Sequence, residues 1–411
     1  MVDVRPFKAV RPEAALADKI AELPYDVVDS AEARALAQGN PYSYFHIDKA
    51  EIDLPQSISP YDEAVYQKAA ANLAEFLQQG WLKKDAQENY YLYQLTMSGN
   101  SQTGLVACTS IDDYTQGKIK KHEYTRHEKE IDRMNHIRSC DANTSPIFLS
   151  YRKNTEIQQL IQDWQDTHEA IYDFTSYYDV EHKVWLLDDP VVIQQLENAF
   201  ASLEALYIAD GHHRTESAVK VGLEKRENQT NSVESDFFLS ILFPEDELMI
   251  KEYNRVLNVE VPEDFFTQLQ ESFIVEETSK KRATSPAEIM MCLSGKWYQL
   301  KVKENKIPTD PVGKLDVSLL QNLLIAPIFD IQDVRSDNRI DFVGGIYGPQ
   351  RLEELVDSHN WNVAFSMYPT KMRDLLQVAD AKEIMPPKST WFEPKLLSGL
   401  FLHDLETTAK L

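Results

Sequence analysis

Leu203-Glu204-Ala205-Leu206-Tyr207-Ile208-Ala209-Asp210-Gly211-His212-His213-Arg214-Thr215-Glu216-Ser217-Ala218 runs from an apolar segment into a turn crowded with reactive side chains. Leu203 to Ala209 reads as a buried strand, and Thr215 to Lys225 reads as a helix. Gly211 between them lets the backbone approach a ligand closely. The first amides of a helix have no internal acceptors and carry the positive end of the dipole, so this junction suits an anion. Arg214 can grip two phosphate oxygens through its planar fork. His212 and His213 add donors that titrate near neutral pH. Asp210, at the strand end, suits a magnesium ion or a reacting hydroxyl. A plain solvent-facing turn is the simpler reading, but two histidines and an arginine are a poor composition for one.

Outward from this stretch, the composition sets limits. The 411 residues allow two or three domains, and a chain 43% hydrophobic and 26% charged is globular. A net charge of −24 disfavours nucleic acid and anionic membrane surfaces as partners, so a small anionic substrate needs a local positive pocket. No apolar run is long enough to span a bilayer, and Met1 to Val10 has charges and a proline where a signal peptide is apolar. Cys108, Cys140 and Cys292 form no CxxC and suit a reducing compartment; with the preceding points they place the protein in the cytoplasm.

Ahead of the loop, Val4 to Pro12 reads as a short strand bounded by prolines, and Ser30 to Gln38 as a helix with Ser30 as N-cap. Tyr42 to Ile47 is aromatic and reads as a strand. Residues 60–82 are an amphipathic helix, and Tyr90–Thr96 and Gly104–Ile111 are strands joined by the turn-rich Met97-Ser98-Gly99-Asn100-Ser101. The loop Pro24-Tyr25-Asp26 is either an ordinary turn or faces substrate, with Asp26 available to a cationic group. Gly117 to Arg133 is locally basic and holds a second chemical cluster. It is no zinc-protease helix: His122 and His127 lie five apart, about 140° round a helix, so they cannot share a metal on one face. A salt-bridged surface helix is the plain alternative. As a catalytic segment it offers His122 and Glu123, where loop is expected to turn to helix, Glu123 as general base, and Arg126 or Arg133 to steady a phosphate.

After the loop, Glu224 to Glu234 is polar enough for a flexible segment, and Phe237 to Phe243 is an apolar strand. The chain divides into 1–256 and an α+β region, 257–411, whose tail can return to the first part. That tail holds Met385-Pro386-Pro387-Lys388-Ser389-Thr390, expected to be extended; it is either a staple over the core or a wall of an anionic site. The second region either covers the site or makes a homodimer.

Arg5-Pro6-Phe7, Pro24-Tyr25-Asp26-Val27, Asn40-Pro41, His122-Glu123 with Thr125, Asp132-Arg133, Asp210-Gly211-His212-His213-Arg214 and Pro386-Pro387-Lys388-Ser389-Thr390 together resemble an uncharacterised family, domain of unknown function 1015, over nearly the whole chain. The Asp210–Arg214 stretch is also similar to the phosphate loop of the ParB and sulfiredoxin superfamily, whose free serine kinases carry an almost identical loop. In those kinases the loop holds nucleotide phosphates, magnesium assists, and a glutamate deprotonates the serine hydroxyl; one archaeal-type kinase uses ADP rather than ATP. The resemblance implies an α+β fold: a ParB/sulfiredoxin-like mixed α/β core with large insertions, followed by a C-terminal α+β region. It implies that Gly211, His212, His213 and Arg214 bind phosphate, and Thr215 is expected to bind phosphate or nucleotide with them. The glutamate does not carry over by position, because Glu123 stands far ahead of the loop rather than just before it.

The expected site therefore has Glu123, His122 and Asp210 as catalytic groups, with Arg126 and Arg133 beside the phosphate loop. Tyr25, Asp26, Lys388, Ser389 and Thr390 face substrate, and Mg2+ is held by Asp210 or Glu123. The expected activity is an ADP- or ATP-dependent kinase of a small hydroxyl compound such as free L-serine. The alternatives are a phosphohydrolase acting on a phosphorylated amino acid and a nucleotide-controlled ParB-like regulatory protein. The last needs a basic DNA-binding module that the acidic sequence lacks, and a sulfiredoxin-like reductase needs a cysteine where His212 stands.

Overall fold

Residues 1–230, 232–358 and 360–406 are described by a computed structural model. The fold is α+β and forms two units. The first comprises Met1–Lys120, Thr125–Leu248 and the chain from Pro394 on; the second comprises Lys121–Tyr124 and Met249–Glu393.

The first unit is organised on a nine-stranded mixed sheet. Its strands are β1 (Val4–Arg5), β2 (Tyr90–Met97), β3 (Asn100–Ser110), β4 (Ile119–Lys120), β5 (Ile147–Tyr151), β6 (Tyr172–Thr175), β7 (Glu181–Leu187), β8 (Leu206–Asp210) and β9 (Phe237–Pro244). They lie in the order β4-β8-β5-β9-β3-β2-β7-β6, with β1 pairing β3 off this path. β8 pairs parallel to β4 and antiparallel to β5, while β9 is parallel to β5 and antiparallel to β3. Central strands buried on both faces read as continuous apolar runs, which is why Phe237 to Phe243 shows no alternation. The β2–β3 hairpin closes through Ser98 and Gly99, both at positive φ (53° and 80°), the two-residue turn whose twist matches its strands.

The accompanying helices are α1 (Glu63–Gln78), α2 (His127–Cys140), α3 (Thr155–Thr167), α4 (Pro190–Ala201) and α5 (His212–Glu227). Leu105, Leu149, Ile208, Phe238 and Val221 share one core cluster, so α5 is fixed to the sheet directly behind the loop. α2 runs beside α5: the Ser217 hydroxyl donates to the Glu130 carbonyl at 3.0 Å, and Arg138 grips Glu224 at 2.7 Å.

Several local expectations differ from what is found. Tyr42 to Ile47 is not a strand; Phe45–Asp48 is a helical turn. An Asx turn explains it: Asn40 Oδ1 accepts from the Tyr42 N–H at 3.1 Å and Asn40 Nδ2 donates to the Lys19 carbonyl at 2.7 Å, so the chain is already bent before the aromatics. The helix Ser30–Leu36 is capped by Asp29 rather than Ser30, in a capping box with Glu32. α2 begins at His127, four residues after Glu123, so His122-Glu123 is not a loop-to-helix junction. α5 continues to Glu227, into the segment expected to be flexible, of which Asn231 lies outside the described residues.

The second unit holds a six-stranded sheet of β10 (Tyr253–Leu257), β11 (Phe273–Thr278), β12 (Glu288–Leu293), β13 (Lys296–Val302), β14 (Ile340–Gly344) and β15 (Val363–Ser366), ordered β11-β13-β12-β15-β10-β14. β10 lies inside this unit because it pairs with β14 and β15, so the chain changes unit at Leu248/Met249, ahead of the division after residue 256 read from sequence. α6 (Gly348–Asp357) packs Leu352 and Val356 against Val256, Met290 and Ala364, and α7 is Met372–Asp380.

Candidate active site

At the C-terminal end of β8 the ladder with β5 shifts register between Ile208 and Asp210, which re-aims the last residue of the strand. Gly211 follows at φ 93°, ψ 33°, a left-handed conformation. A Cβ there would lie 3.2 Å from Arg214 Nε and 3.3 Å from its Cζ, because the guanidinium is folded back over the glycine. Glycine is thus required twice, by φ and by space. As N-cap it offers no side chain, so nothing of its own covers the first amides of α5. The helix closes on itself only from Thr215, whose N–H donates to the Gly211 carbonyl at 2.9 Å. The Thr215 hydroxyl turns back to the same carbonyl at 3.0 Å, so as placed it serves the helix rather than a ligand.

Asp210 uses both carboxylate oxygens: Oδ1 accepts from the Gly211 N–H at 2.8 Å and Oδ2 faces Lys395 Nζ at 3.1 Å. Burial disfavours its charge, but the Lys395 ammonium, then Arg214 and the Gly211 N–H, outweigh it and hold the carboxyl below the usual carboxylate range. Lys395 belongs to the stretch from Pro394 on that returns to the first unit.

Arg214 is buried; Nη1 donates to the Pro146 carbonyl at 2.5 Å and Nη2 stands 3.6 Å from Asp26 Oδ2. Its Nε is buried and has no hydrogen-bond acceptor among the described residues. Close by, Arg133 is also buried, with its Cζ 3.9 Å above the centre of the Tyr25 ring. Its Nε and Nη2 both meet Asp132 Oδ2 at 2.9 Å, and the Tyr66 hydroxyl donates to Asp132 Oδ1 at 3.0 Å. Burial pushes the Tyr25 phenol well above its ordinary value, so it stays protonated. Tyr25, Arg133, His136, Thr144, Ser145 and Arg214 line one cavity of about 340 Å³ counted out to solvent.

His136 is driven toward its neutral form by burial and by Arg133, and its Nε2 sits 3.0 Å from the Ile47 carbonyl, which makes Nε2 the protonated nitrogen. His213 is also kept below its ordinary pKa, chiefly by burial, and its Nε2 accepts the Arg126 N–H at 2.9 Å. It thereby holds the N-cap of α2, acting as an acceptor rather than a cation, while the Arg126 side chain is exposed.

Of the residues singled out from sequence, Tyr25, Arg133 and Arg214 thus meet at one cavity with Asp26 beside it, next to Asp210, Gly211 and the start of α5. His212, the first residue of α5, is buried. His122 and Glu123 lie in Lys121–Tyr124, grouped with the second unit, where the His122 carbonyl accepts the Met385 N–H at 2.8 Å. Lys388, Ser389 and Thr390 also belong to that unit. Their segment is not simply extended: Lys388 has φ 59°, following Pro387 in a turn. The Ser389 hydroxyl closes that turn on the Pro386 carbonyl at 2.6 Å, and the Lys388 carbonyl accepts from Arg255 at 2.9 Å. Sequence reading passed over Asp48, Tyr66, Asp132, Thr144 and Ser145 as site groups. The polar run Asn143-Thr144-Ser145 just before the apolar β5 was the available signal.

Residues 4–318 match the model of a family described as protein of unknown function (DUF1015). No curated protein matches the chain. Among solved structures, SbnI with a C-terminal truncation, from Staphylococcus aureus, is 12% identical with a TM-score of 0.39, covering 71% of this chain and 85% of that one. A free serine kinase mutant in complex with AMP is 10% identical with a TM-score of 0.38, covering 70% and 86%. A conserved hypothetical protein from Pyrococcus furiosus is 11% identical with a TM-score of 0.36, covering 72% and 94%. Among the described residues no helix is long and apolar enough to cross a membrane.

Proposed function

This chain belongs to the DUF1015 family of proteins of unknown function, and on that premise we propose that it is a nucleotide-dependent kinase that phosphorylates a small hydroxyl compound, free L-serine being the first candidate. The observation that carries the reading is the uncapped start of α5 at Gly211, with the buried Arg214 guanidinium folded over it and Lys395 beside Asp210. Phosphoryl transfer asks mainly for positioning and for fixed positive charge around the phosphates. Helix amides, a guanidinium and an ammonium supply that here, in a chain whose net charge of −24 would otherwise repel a nucleotide. The resemblance of Asp210–Arg214 to the phosphate loop of free serine kinases points the same way.

In the step proposed, the acceptor hydroxyl gives its proton to a carboxylate. Its oxygen bonds to the terminal phosphorus, and the bond from that phosphorus to the rest of the nucleotide breaks. The nucleotide, ADP or ATP, leaves one phosphate shorter. The carboxylate proposed for this step is Glu123, the acid of the second chemical cluster, with His122 preceding it. Asp210 as placed does not suit a magnesium ion, since one oxygen serves the Gly211 N–H and the other an ammonium. Magnesium enters this scheme on the nucleotide's own phosphates, and no step is assigned to a protein-held ion.

The test is incubation of the full-length protein with magnesium, each nucleoside di- and triphosphate and a pool of amino acids, following nucleotide turnover. Arg214→Ala is expected to cut turnover about 100-fold while the protein still folds, the scale seen on removing one charge-stabilising donor. Unchanged rates in both Arg214→Ala and His213→Ala would remove the phosphate-loop role.

A further inference from the structure

We infer that the cavity lined by Arg133 and Arg214 is a subsite for a carboxylate borne by the phosphoryl acceptor; the word acceptor rests on the kinase reading, whereas the anion does not. Arg133 is held on two sides, its flat face on Tyr25 at 3.9 Å and its Nε and Nη2 on Asp132 at 2.9 Å, and Asp132 is itself held by Tyr66 at 3.0 Å. A guanidinium has five N–H bonds, so three remain beyond those on Asp132. Arg214 contributes the buried Nε that lacks an acceptor among the described residues. An unsatisfied buried donor on a charged group is costly, so the position calls for an oxygen from a ligand.

The neighbouring hydroxyls cannot supply that oxygen's counterpart. Ser145 donates to Asp48 Oδ2 at 2.6 Å and Thr144 donates to Asp48 Oδ1 at 3.1 Å, so both protons are already committed. Recognition of an anion then rests chiefly on the two guanidinium groups, whose planar forks fit a carboxylate, with the protonated Tyr25 phenol in the same lining. Asp26, 40% exposed and only 3.6 Å from Arg214, stands at the edge, where it can meet an ammonium on the same ligand. The volume of about 340 Å³ includes open solvent and the enclosed space is far smaller, so it can take only the carboxylate end of a ligand and not a whole nucleotide. The same donors would take a phosphate group, and the experiment must separate the two oxyanions.

Calorimetric titration of the full-length protein, with and without ADP, does so using four probes: L-serine, glycerate (no ammonium), 2-aminoethanol (no carboxylate) and inorganic phosphate. Serine and glycerate are expected to bind and 2-aminoethanol not to bind. Arg133→Gln is expected to weaken both acids about 10–100-fold, the worth of one charge-assisted pair, and to weaken nucleotide less than it weakens the acids. If that variant does not fold, Arg133→Lys keeps a cation for Asp132 but loses the fork, and the acids should again weaken. Equal binding of serine and 2-aminoethanol, binding of nucleotide with neither acid, or phosphate that displaces both acids and binds more tightly than they do would each overturn the subsite. Acids that bind in a protein without nucleotide turnover would uphold the subsite and overturn the kinase instead.

Discussion

Gly211→Ala tests whether the loop geometry and the function are the same thing. Two costs follow from the structure. An L-residue in the left-handed region loses about 1–2 kcal/mol, and Gly211 sits there at φ 93°. The new Cβ would then press on Arg214 Nε at 3.2 Å and Cζ at 3.3 Å. Arg214 does not yield freely, because its Nη1 donates to the Pro146 carbonyl at 2.5 Å, and losing a charged hydrogen bond costs about 1.5–3 kcal/mol. The sum predicts a stability loss of about 2–4 kcal/mol, since a few tenths of an ångström of movement can keep part of that bond. Nucleotide affinity of the folded fraction should fall at least tenfold, because the guanidinium no longer lies over the helix start. Gly222→Ala is the control. Alanine is the better helix former by about 1 kcal/mol, but its Cβ would stand 2.5 Å from the Ser235 backbone carbonyl, which has no side-chain freedom to retreat. It should also destabilise, yet leave nucleotide affinity intact. Urea unfolding with fluorescence gives the stability, and calorimetry below the transition gives the affinity. If Gly211→Ala binds nucleotide as well as the parent, Arg214 does not serve the phosphate from this position.

Lys395→Met should lower stability by about 1–2 kcal/mol at pH 7, less than a fully buried pair would lose, because a third of the Asp210 side chain (33%) reaches solvent. The folded Asp210 pKa is lowered, so its stabilisation is present above the ordinary Asp value of about 3.9 and is lost as pH falls through the folded one. The gap between variant and parent should accordingly narrow below pH 4 in urea titrations; a gap that widens in acid contradicts the ion pair. His213 should titrate below the ordinary histidine value of about 6.5 by NMR, because burial disfavours the charged ring, and protonating Nε2 would also break its bond from the Arg126 N–H. With its folded pKa depressed, its contribution to stability holds above about 6.5 and fades as pH falls through the lower folded value. A His213 titration above 6.5 contradicts the acceptor role.

The central loop was readable because every part of it is local. An apolar run, a glycine and the start of a helix declare themselves from neighbouring residues, and β8 and α5 do flank Gly211. The strand is Leu206–Asp210, however, and the helix starts at His212 rather than Thr215, so His212, His213 and Arg214 form its first turn. The β2–β3 hairpin was legible for the same reason, since Ser98-Gly99 specifies its own turn. The aromatic segment at Tyr42–Ile47 was misread because residues buried all round show no period, and the deciding bond, from Asn40 Nδ2 to the Lys19 carbonyl, comes from outside the segment. His213 illustrates a subtler limit: its identity was plain, but its role as acceptor depends on Arg126, 87 positions away.

Sequence alone determined the strand–glycine–helix junction, the acidic character and the set of cationic and imidazole groups near the loop, because short-range sterics and hydrogen bonding settle such features within a few residues. Tertiary structure alone decided which of those groups meet. Lys395 reaches Asp210 across 185 positions, and Arg133 comes to lie on Tyr25 although separate segments carry them. Such meetings depend on sheet order and on how helices seat against it, and no pattern of neighbours encodes them one pair at a time.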